Sequence, residues 1–405
     1  VLYMSYDGMT DPLGQSQVIP YLGGLAAEGH HITLISFEKE ERYKQHQEYI
    51  SRLLSSLRIR WEPMSYTKSP PVLSTIWDIL RAKSKARQLL RKDKYDVMHC
   101  RSYISALVGL WMKKNYGLPF IFDMRGFWAD ERVEGKLWNL RNPLYRMVFS
   151  YFKKKEKQFL LNAVHVISLT GNAKEKILGW DLAKEPVPIT VIPCCADLSH
   201  FSRGKLNAEK FLHWKNKLGI ADQDFIIGYL GAIGTWYMLE EMLDFFILLR
   251  EARPSAKFLF VTQESPELIH RAARLKNISE GSIIITSSSR NDLPSLLELF
   301  HVSIFFIRPS FSKSASSPTK QGELMAMGIP VICNSGIGDT DDIIAKTGTG
   351  IVIGSFDKSS YITAIGKLDE LLAIDKEFIS NKAKDTFSLK TGIESYLGVY
   401  QKIKA

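Results

Sequence analysis

The chain has 405 residues, 45% hydrophobic and 24% charged, which is ordinary globular composition and too long for one core, so two domains are expected. No apolar run approaches the ~20 residues of a membrane span and no signal peptide is visible, so no membrane span is expected, and four cysteines without a disulfide framework suit a reducing cytoplasm. The formal charge of +10 favours anionic partners, but zinc-finger spacing, an aromatic RNA-binding signature and a basic tail are all missing, so no nucleic acid is expected.

Residues 1–6 form an apolar strand, on which the chain opens directly, so a short preceding segment is expected. A loop containing Gly14 and Gln15 follows, then a helix over 18–29 and a strand over 31–37. This is a βαβ start, and ligands bind at that edge of open α/β sheets, although the glycines do not spell G-x-G-x-x-G. The alternation continues with helices over 40–56, 76–92 and 103–115 and strands over 58–62, 96–99 and 119–123. Two strand ends carry unusual side chains, His99-Cys-Arg101 and Asp123-Met-Arg125-Gly-Phe-Trp128. Charged groups there line the crevice of such a sheet, which makes Asp123 and Arg125 candidates for catalysis; the bland alternative is a structural ion pair. His99 suits a core histidine as well as a ligand.

Residues 137–161 mix aromatics with Arg141, Arg146, Lys153, Lys154, Lys155 and Lys157. A domain helix with a solvated basic face is favoured over a membrane-surface helix. A strand over 164–168, a capping box of Asn172 and Glu175, and a strand over 189–193 complete the first half. Residues 194–223 read as a linker. Cys194 and Cys195 are adjacent, and the four cysteines form no disulfide or metal framework.

A second alternation begins at Phe225-Ile-Ile-Gly-Tyr-Leu-Gly-Ala-Ile-Gly234, and strands over 257–261, 282–286, 302–307 and 330–333 follow. Gly228, Gly231 and Gly234 have a spacing also found in short-chain dehydrogenases. However, the Tyr151–Lys155 pair lies upstream of those glycines rather than downstream, and no acid closes the 257–261 strand, so that reading is set aside. The most informative stretch runs from Arg308 to Ile332. Ser317 and Pro318 read as a helix cap and first helical residue, and Gly328 as the stop. A hydroxyl-rich loop with Lys313 and Lys320 at a helix N-terminus is a natural diphosphate cradle. Thr319, Lys320 and Glu323 share one helix face, where a carboxylate could accept from a sugar diol.

The order of these parts resembles that of glycosyltransferase family 4, retaining nucleotide-sugar transferases of the GT-B fold. The carriers are Pro12-Leu-Gly14-Gln15, Val166-Ile-Ser168, Val191-Ile-Pro193, Tyr229-Leu-Gly231, Arg308-Pro-Ser310, and Gly322-Glu-Leu-Met-Ala-Met-Gly-Ile-Pro-Val331. The resemblance implies an α/β protein with two Rossmann-like domains facing a central cleft. The first domain would cover 1–200 on the acceptor side and the second 201–387 on the donor side, with a final helix over 388–405 packing back on the first. It implies that Glu323 binds the ribose, that Ser317, Thr319 and Lys320 hold the diphosphate, and that Gly231 and Thr235 approach the donor phosphates. Gly14 and Gln15 would form the loop where donor and acceptor meet.

Three departures stand out. Ala315 replaces the first glutamate of the family's pair, Arg125 replaces the usual histidine, and Thr235-Trp236-Tyr237 replaces an Arg/Lys segment. The cations left for the phosphates are Lys320, Arg125, Arg308 and Lys313. The expected activity is transfer of a hexosyl-type sugar, with retention, from a UDP- or GDP-sugar to a glycan or lipid-linked acceptor in bacterial surface polysaccharide assembly. Arg125, Asp123, Lys320 and Glu323 are the catalytic candidates; His99, Arg101 and Trp128 are the acceptor-side candidates. No cofactor or metal is expected, and peripheral contact with the inner membrane face is an open expectation. The rival readings are a non-catalytic nucleotide-binding subunit and a sugar-nucleotide epimerase of the same fold.

Overall fold

The protein is described by a computed structural model over residues 1–185 and 187–404. The chain divides into two compact units. Unit 1 comprises Val1–Cys194 and the segment from Leu389, and unit 2 comprises Cys195–Ser388.

Unit 1 holds a parallel seven-stranded sheet of β1 (Leu2–Ser5), β2 (Ile32–Glu38), β3 (Ile59–Ser65), β4 (Met98–Arg101), β5 (Phe120–Asp123), β6 (His165–Ser168) and β7 (Ile189–Val191), in the order β3-β2-β1-β4-β5-β6-β7. β1, β2, β4, β5 and β6 are buried along their whole length, so apolar residues occupy both faces rather than alternating, and the charged Glu38, Arg101 and Asp123 come only at their carboxyl ends. The register sets Arg101 beside Asp123 at the carboxyl ends of β4 and β5. The helix Leu389–Lys404 packs against the helix Ile19–Ala27 of the same unit, with Tyr396, Val399 and Tyr400 buried.

Several sequence expectations shift locally. The glycine loop is itself helical over Pro12–Gln17, with proline in its first turn, and the next helix starts at Ile19. A short helix, Trp128–Glu134, follows β5, and the basic helix begins only at Pro143, where the Asn142 side chain accepts from the Leu144 N–H at 2.9 Å. The cap before β7 is Thr170, whose hydroxyl accepts from the Ala173 N–H at 3.1 Å; Asn172 and Glu175 do not form the expected box because the helix starts at Gly171.

Unit 2 holds a parallel six-stranded sheet of β8 (Phe225–Leu230), β9 (Ala256–Val261), β10 (Ile283–Thr286), β11 (Val302–Phe305), β12 (Val331–Asn334) and β13 (Gly350–Ile353), in the order β10-β9-β8-β11-β12-β13. β13 escaped the sequence reading because it is a four-residue, half-buried edge strand opening on a glycine. The stretch read as a linker is part of this unit. Phe201, Trp214 and Ile220 enter its core, and Ala208–Lys217 is a helix capped by Asn207.

Candidate active-site residues in the two units

In unit 2 the helix Thr319–Ala326 follows β11 and a short 3-10 turn, Ser312–Ala315. Pro318 is the N-cap and makes no side-chain cap bond, so the expected Ser317 cap with proline inside the helix is displaced by one residue. Gly322 is required by packing. A Cβ there would lie 2.8 Å from the Phe387 ring and 3.2 Å from Ala196 Cβ, so only glycine lets this helix seat against the helix Lys376–Phe387. The seat fixes where the first helical turn points.

Lys320, on that turn, is 9% exposed. Its ammonium lies 3.8 Å from the Tyr237 ring centre and 4.5 Å from that of Tyr229, and donates to the Tyr229 hydroxyl at 3.3 Å. Burial strips water from the cation and pushes its pKa down to about 7, with Glu323 offsetting part of the shift. Gly231, at φ +115°, leaves the space above it; a Cβ there would stand 3.1 Å from Lys320 Nζ.

The segment that lacks the expected Arg and Lys gathers cations instead. A bridge between Tyr237 and Ile307, with the Arg308 N–H donating to the Trp236 carbonyl at 2.8 Å, ties 236–238 to the end of β11. Lys313 Nζ then lies 3.9 Å from the Trp236 ring centre, and the Arg308 guanidinium 5.1 Å from it while donating to the Thr235 carbonyl at 3.1 Å. Two aromatic rings therefore present Lys313, Arg308 and Lys320 from adjacent positions.

One turn beyond Lys320, the Glu323 carboxylate accepts no hydrogen bond and joins no ion pair among the described contacts of this helix. Burial pushes its pKa up, with Arg290 and Lys320 acting against that and Asp197 reinforcing it. A half-buried carboxylate kept short of partners is ready to accept from hydroxyls. Arg290, which also donates to Asp197 at 3.3 Å, went unnoticed in the sequence because it lies in a polar turn with no periodicity.

In unit 1 the Gly14 loop is held by a residue the sequence reading passed over. Glu38, buried at the end of β2, accepts from the Met9 N–H at 2.8 Å, the Thr10 N–H at 3.0 Å and the Thr10 hydroxyl at 2.6 Å. A charged residue closing an apolar strand was the available signal. Gly14 is needed because a Cβ would meet the Gly8 carbonyl at 2.2 Å. Gln15 is exposed, and its amide donates to the Thr10 carbonyl at 3.2 Å.

Asp123 is fully buried. Burial alone would raise its pKa, but Arg125, His99 and Arg101 pull it down to about 2. Oδ2 accepts from the Tyr396 hydroxyl at 3.1 Å and lies 3.5 Å from His99 Nε2 and 3.9 Å from Arg101 Nη1. Arg125 Nη1 lies 3.8 Å from Oδ1, and its Nη2 donates to Cys194 Sγ at 3.2 Å. His99 is sealed inside, its Nδ1 at 2.8 Å from the Tyr400 hydroxyl, and burial pushes its pKa down, with Asp123 acting against that. It is a core histidine. Trp128 stacks on Tyr103 and packs edge-on against Trp138 and Phe152, with the Arg132 guanidinium 4.9 Å from its ring centre, so its surfaces are largely engaged within unit 1.

Two family profiles cover most of the chain: Glycosyltransferase Family 4 matches residues 18–200 and Glycosyl transferases group 1 matches residues 211–385. A curated relative, the Escherichia coli UDP-Gal:alpha-D-GlcNAc-diphosphoundecaprenol alpha-1,3-galactosyltransferase, is 23% identical over 325 residues, 77% of each chain. A glycosyltransferase from Rickettsia africae superposes with a TM-score of 0.73 at 18% identity, covering 99% of this chain and 97% of that one. Anabaena HepE, solved with UDP and glucose, gives 0.69 at 14% identity, covering 99% and 98%. The two profiles follow one another in the order of the two parallel-sheet α/β units, and the chain belongs to glycosyltransferase family 4, with the GT-B type of fold.

Proposed function

We propose that this glycosyltransferase moves a sugar from a nucleoside diphosphate donor, with UDP the expected carrier, to a lipid-linked glycan with retention, in bacterial surface polysaccharide assembly. The observation that carries the donor side is the first turn of the helix Thr319–Ala326, where a buried lysine and a carboxylate short of partners share one face. As the bond to the sugar breaks, negative charge grows on the leaving diphosphate. Cations already fixed on aromatic rings can meet it without reorganising. We infer that Lys320, Lys313 and Arg308 supply this charge and that no metal is required; Glu323 would accept from the ribose diol. With retention, the leaving phosphate accepts the acceptor's proton, since Arg125 stays protonated and cannot serve as a base. UDP is preferred on the strength of the Escherichia coli relative, which uses UDP-galactose.

A thermal-shift screen against UDP, GDP, ADP and their sugars tests the donor class, with UDP expected to give the largest rise. Glu323→Ala should weaken UDP binding about tenfold or more by calorimetry, matching loss of charge-assisted hydrogen bonds worth about 1.5–3 kcal/mol. Unchanged affinity would remove Glu323 from the ribose site. Epimer formation without acceptor would replace transfer with epimerisation.

We also propose peripheral contact with an anionic membrane, through a surface the sequence reading passed over. No helix among the described residues is long and apolar enough to cross a membrane. In unit 1, however, the helix Leu73–Lys92 exposes Leu73, Ile76, Trp77 and Leu80 on one stripe, with Leu73 at 64% and Trp77 at 57%. Lys83 farther along it, Lys114 and Lys155 approach one another closely enough that their repulsion, after burial, lowers the Lys155 pKa. An apolar stripe beside clustered lysines suits an anionic lipid surface. Sedimentation with phosphatidylglycerol vesicles should recover the protein, and the double change Trp77→Ser and Leu80→Ser should release most of it. Equal recovery of the variant would refute the contact.

A further inference from the structure

The buried charges at the ends of β4 and β5 do not balance. Arg101 and Arg125 have side chains 4% and 9% exposed, and the one carboxylate buried between them is Asp123. Burial disfavours the charged form of His99, and Asp7, at 3.7 Å from Arg101 Nε, is 45% exposed. Every guanidinium–carboxylate distance here is 3.7–3.9 Å, too long for a hydrogen bond. Arg101 Nε and Nη1 and Arg125 Nη1 consequently find no acceptor, though each is enclosed. Leaving several guanidinium N–H groups dry and unpaired is costly, and folded chains seldom do so without an occupant.

The backbone around them is strained in the same place. Ser102, directly after Arg101, has φ +65°, and Arg125 has φ +57°, conformations that side chains other than glycine rarely adopt. Such outliers persist where the surroundings enforce them, commonly at ligand sites. The helix Ser102–Tyr116 also begins on Arg101 with no side-chain cap, adding free N–H groups at that edge.

We infer that Arg101 and Arg125 form a second anion site, in unit 1, that takes phosphate or carboxylate oxygens of the acceptor. It rests on the transferase reading only in naming the acceptor as the source, since the donor diphosphate has its own cations in unit 2. The acceptors this enzyme takes are then anionic. A neutral glycan would leave Arg101 Nε and Nη1 and Arg125 Nη1 without a charged acceptor and bind poorly.

Calorimetric titration of the full chain with inorganic pyrophosphate tests this. Wild type should show two sites, and Lys320→Met should retain one. Adding Arg101→Gln to that variant should weaken the remaining site at least tenfold, whereas Arg101→Lys, which keeps the charge, should preserve most of it. Wild type saturated with UDP should still take up one pyrophosphate, an arm that needs no variant to fold. Loss of all pyrophosphate binding in Lys320→Met, retention in the double variant, or complete blocking by UDP would each overturn the site. UDP binding by Arg101→Gln alone reports the donor reading separately: it should be within threefold of wild type whichever way the second site falls.

Discussion

Replacing Lys320 by methionine is expected to lower kcat/KM for transfer by about 10³ or more while the melting temperature holds or rises. The rate loss follows from removing a preorganised cation aimed at the leaving diphosphate, an effect of about 10²–10³ for a single donor group and larger for a full charge. The stability gain follows from the cost of burying an ammonium among Tyr229 and Tyr237. Methionine fills similar volume without that cost. The ordinary lysine pKa is 10.5 and that of Lys320 is about 7, so near neutrality much of the free enzyme carries it uncharged. A bound diphosphate favours the charged form and raises that pKa. UDP affinity should therefore be flat below about pH 6 and fall by up to tenfold per pH unit above 7, until the pKa of the complex is reached. Calorimetry in buffers of different ionisation enthalpy should register proton uptake at pH 8. Pronounced destabilisation with normal turnover would show that Lys320 is a structural residue, and pH-independent UDP affinity would remove the proton linkage.

Asp123→Asn should destabilise unit 1 by about 3–5 kcal/mol, because it leaves Arg101 and Arg125 buried together without a counter-charge. The amide keeps the shape, so the loss isolates the charge. The sign of the pH dependence agrees. The native Asp123 pKa is about 2 against an ordinary 3.8, so its contribution is complete above 3.8 and is lost as pH falls toward 2. Scanning calorimetry should show the transition of unit 1 lowered by several degrees, with UDP binding by unit 2 intact below it. A change under about 1 °C would mean that the arginines are already satisfied by solvent.

Much of this was legible in the sequence because parallel strands covered on both faces must be apolar throughout. All seven strands of unit 1 and five of the six in unit 2 were placed from the sequence, the buried ones by their apolar content and β3, which carries Arg60 and Glu62, by its place in the alternation. Gly231 and Lys320 were singled out by motif, and the structure gives the reason they occur together: the lysine occupies the room left by the glycine. What stayed hidden depended on contacts distant in sequence. Trp236 and Tyr237 read as a loss of positive charge, yet their ring faces hold the cations supplied by Arg308, Lys313 and Lys320 some 70–90 residues later. Glu38 and the stripe from Leu73 to Leu80 carried signals, a carboxylate ending an apolar strand and apolar residues at helical spacing, that can be told from ordinary features only once burial is known.

Tyr396 and Tyr400 close over Asp123 and His99 from the far end of the chain, 273 and 301 residues away. On the ribosome, the amino-terminal two hundred residues emerge with that charged pocket still open to water. All of unit 2 can be made and folded before the closing helix appears. Newly made unit 1 therefore waits in an incomplete state for the time needed to translate some two hundred further residues, about 10–40 s at ~5–20 residues per second. During that wait it is the more exposed of the two units to proteases and chaperones, although it is made before unit 2.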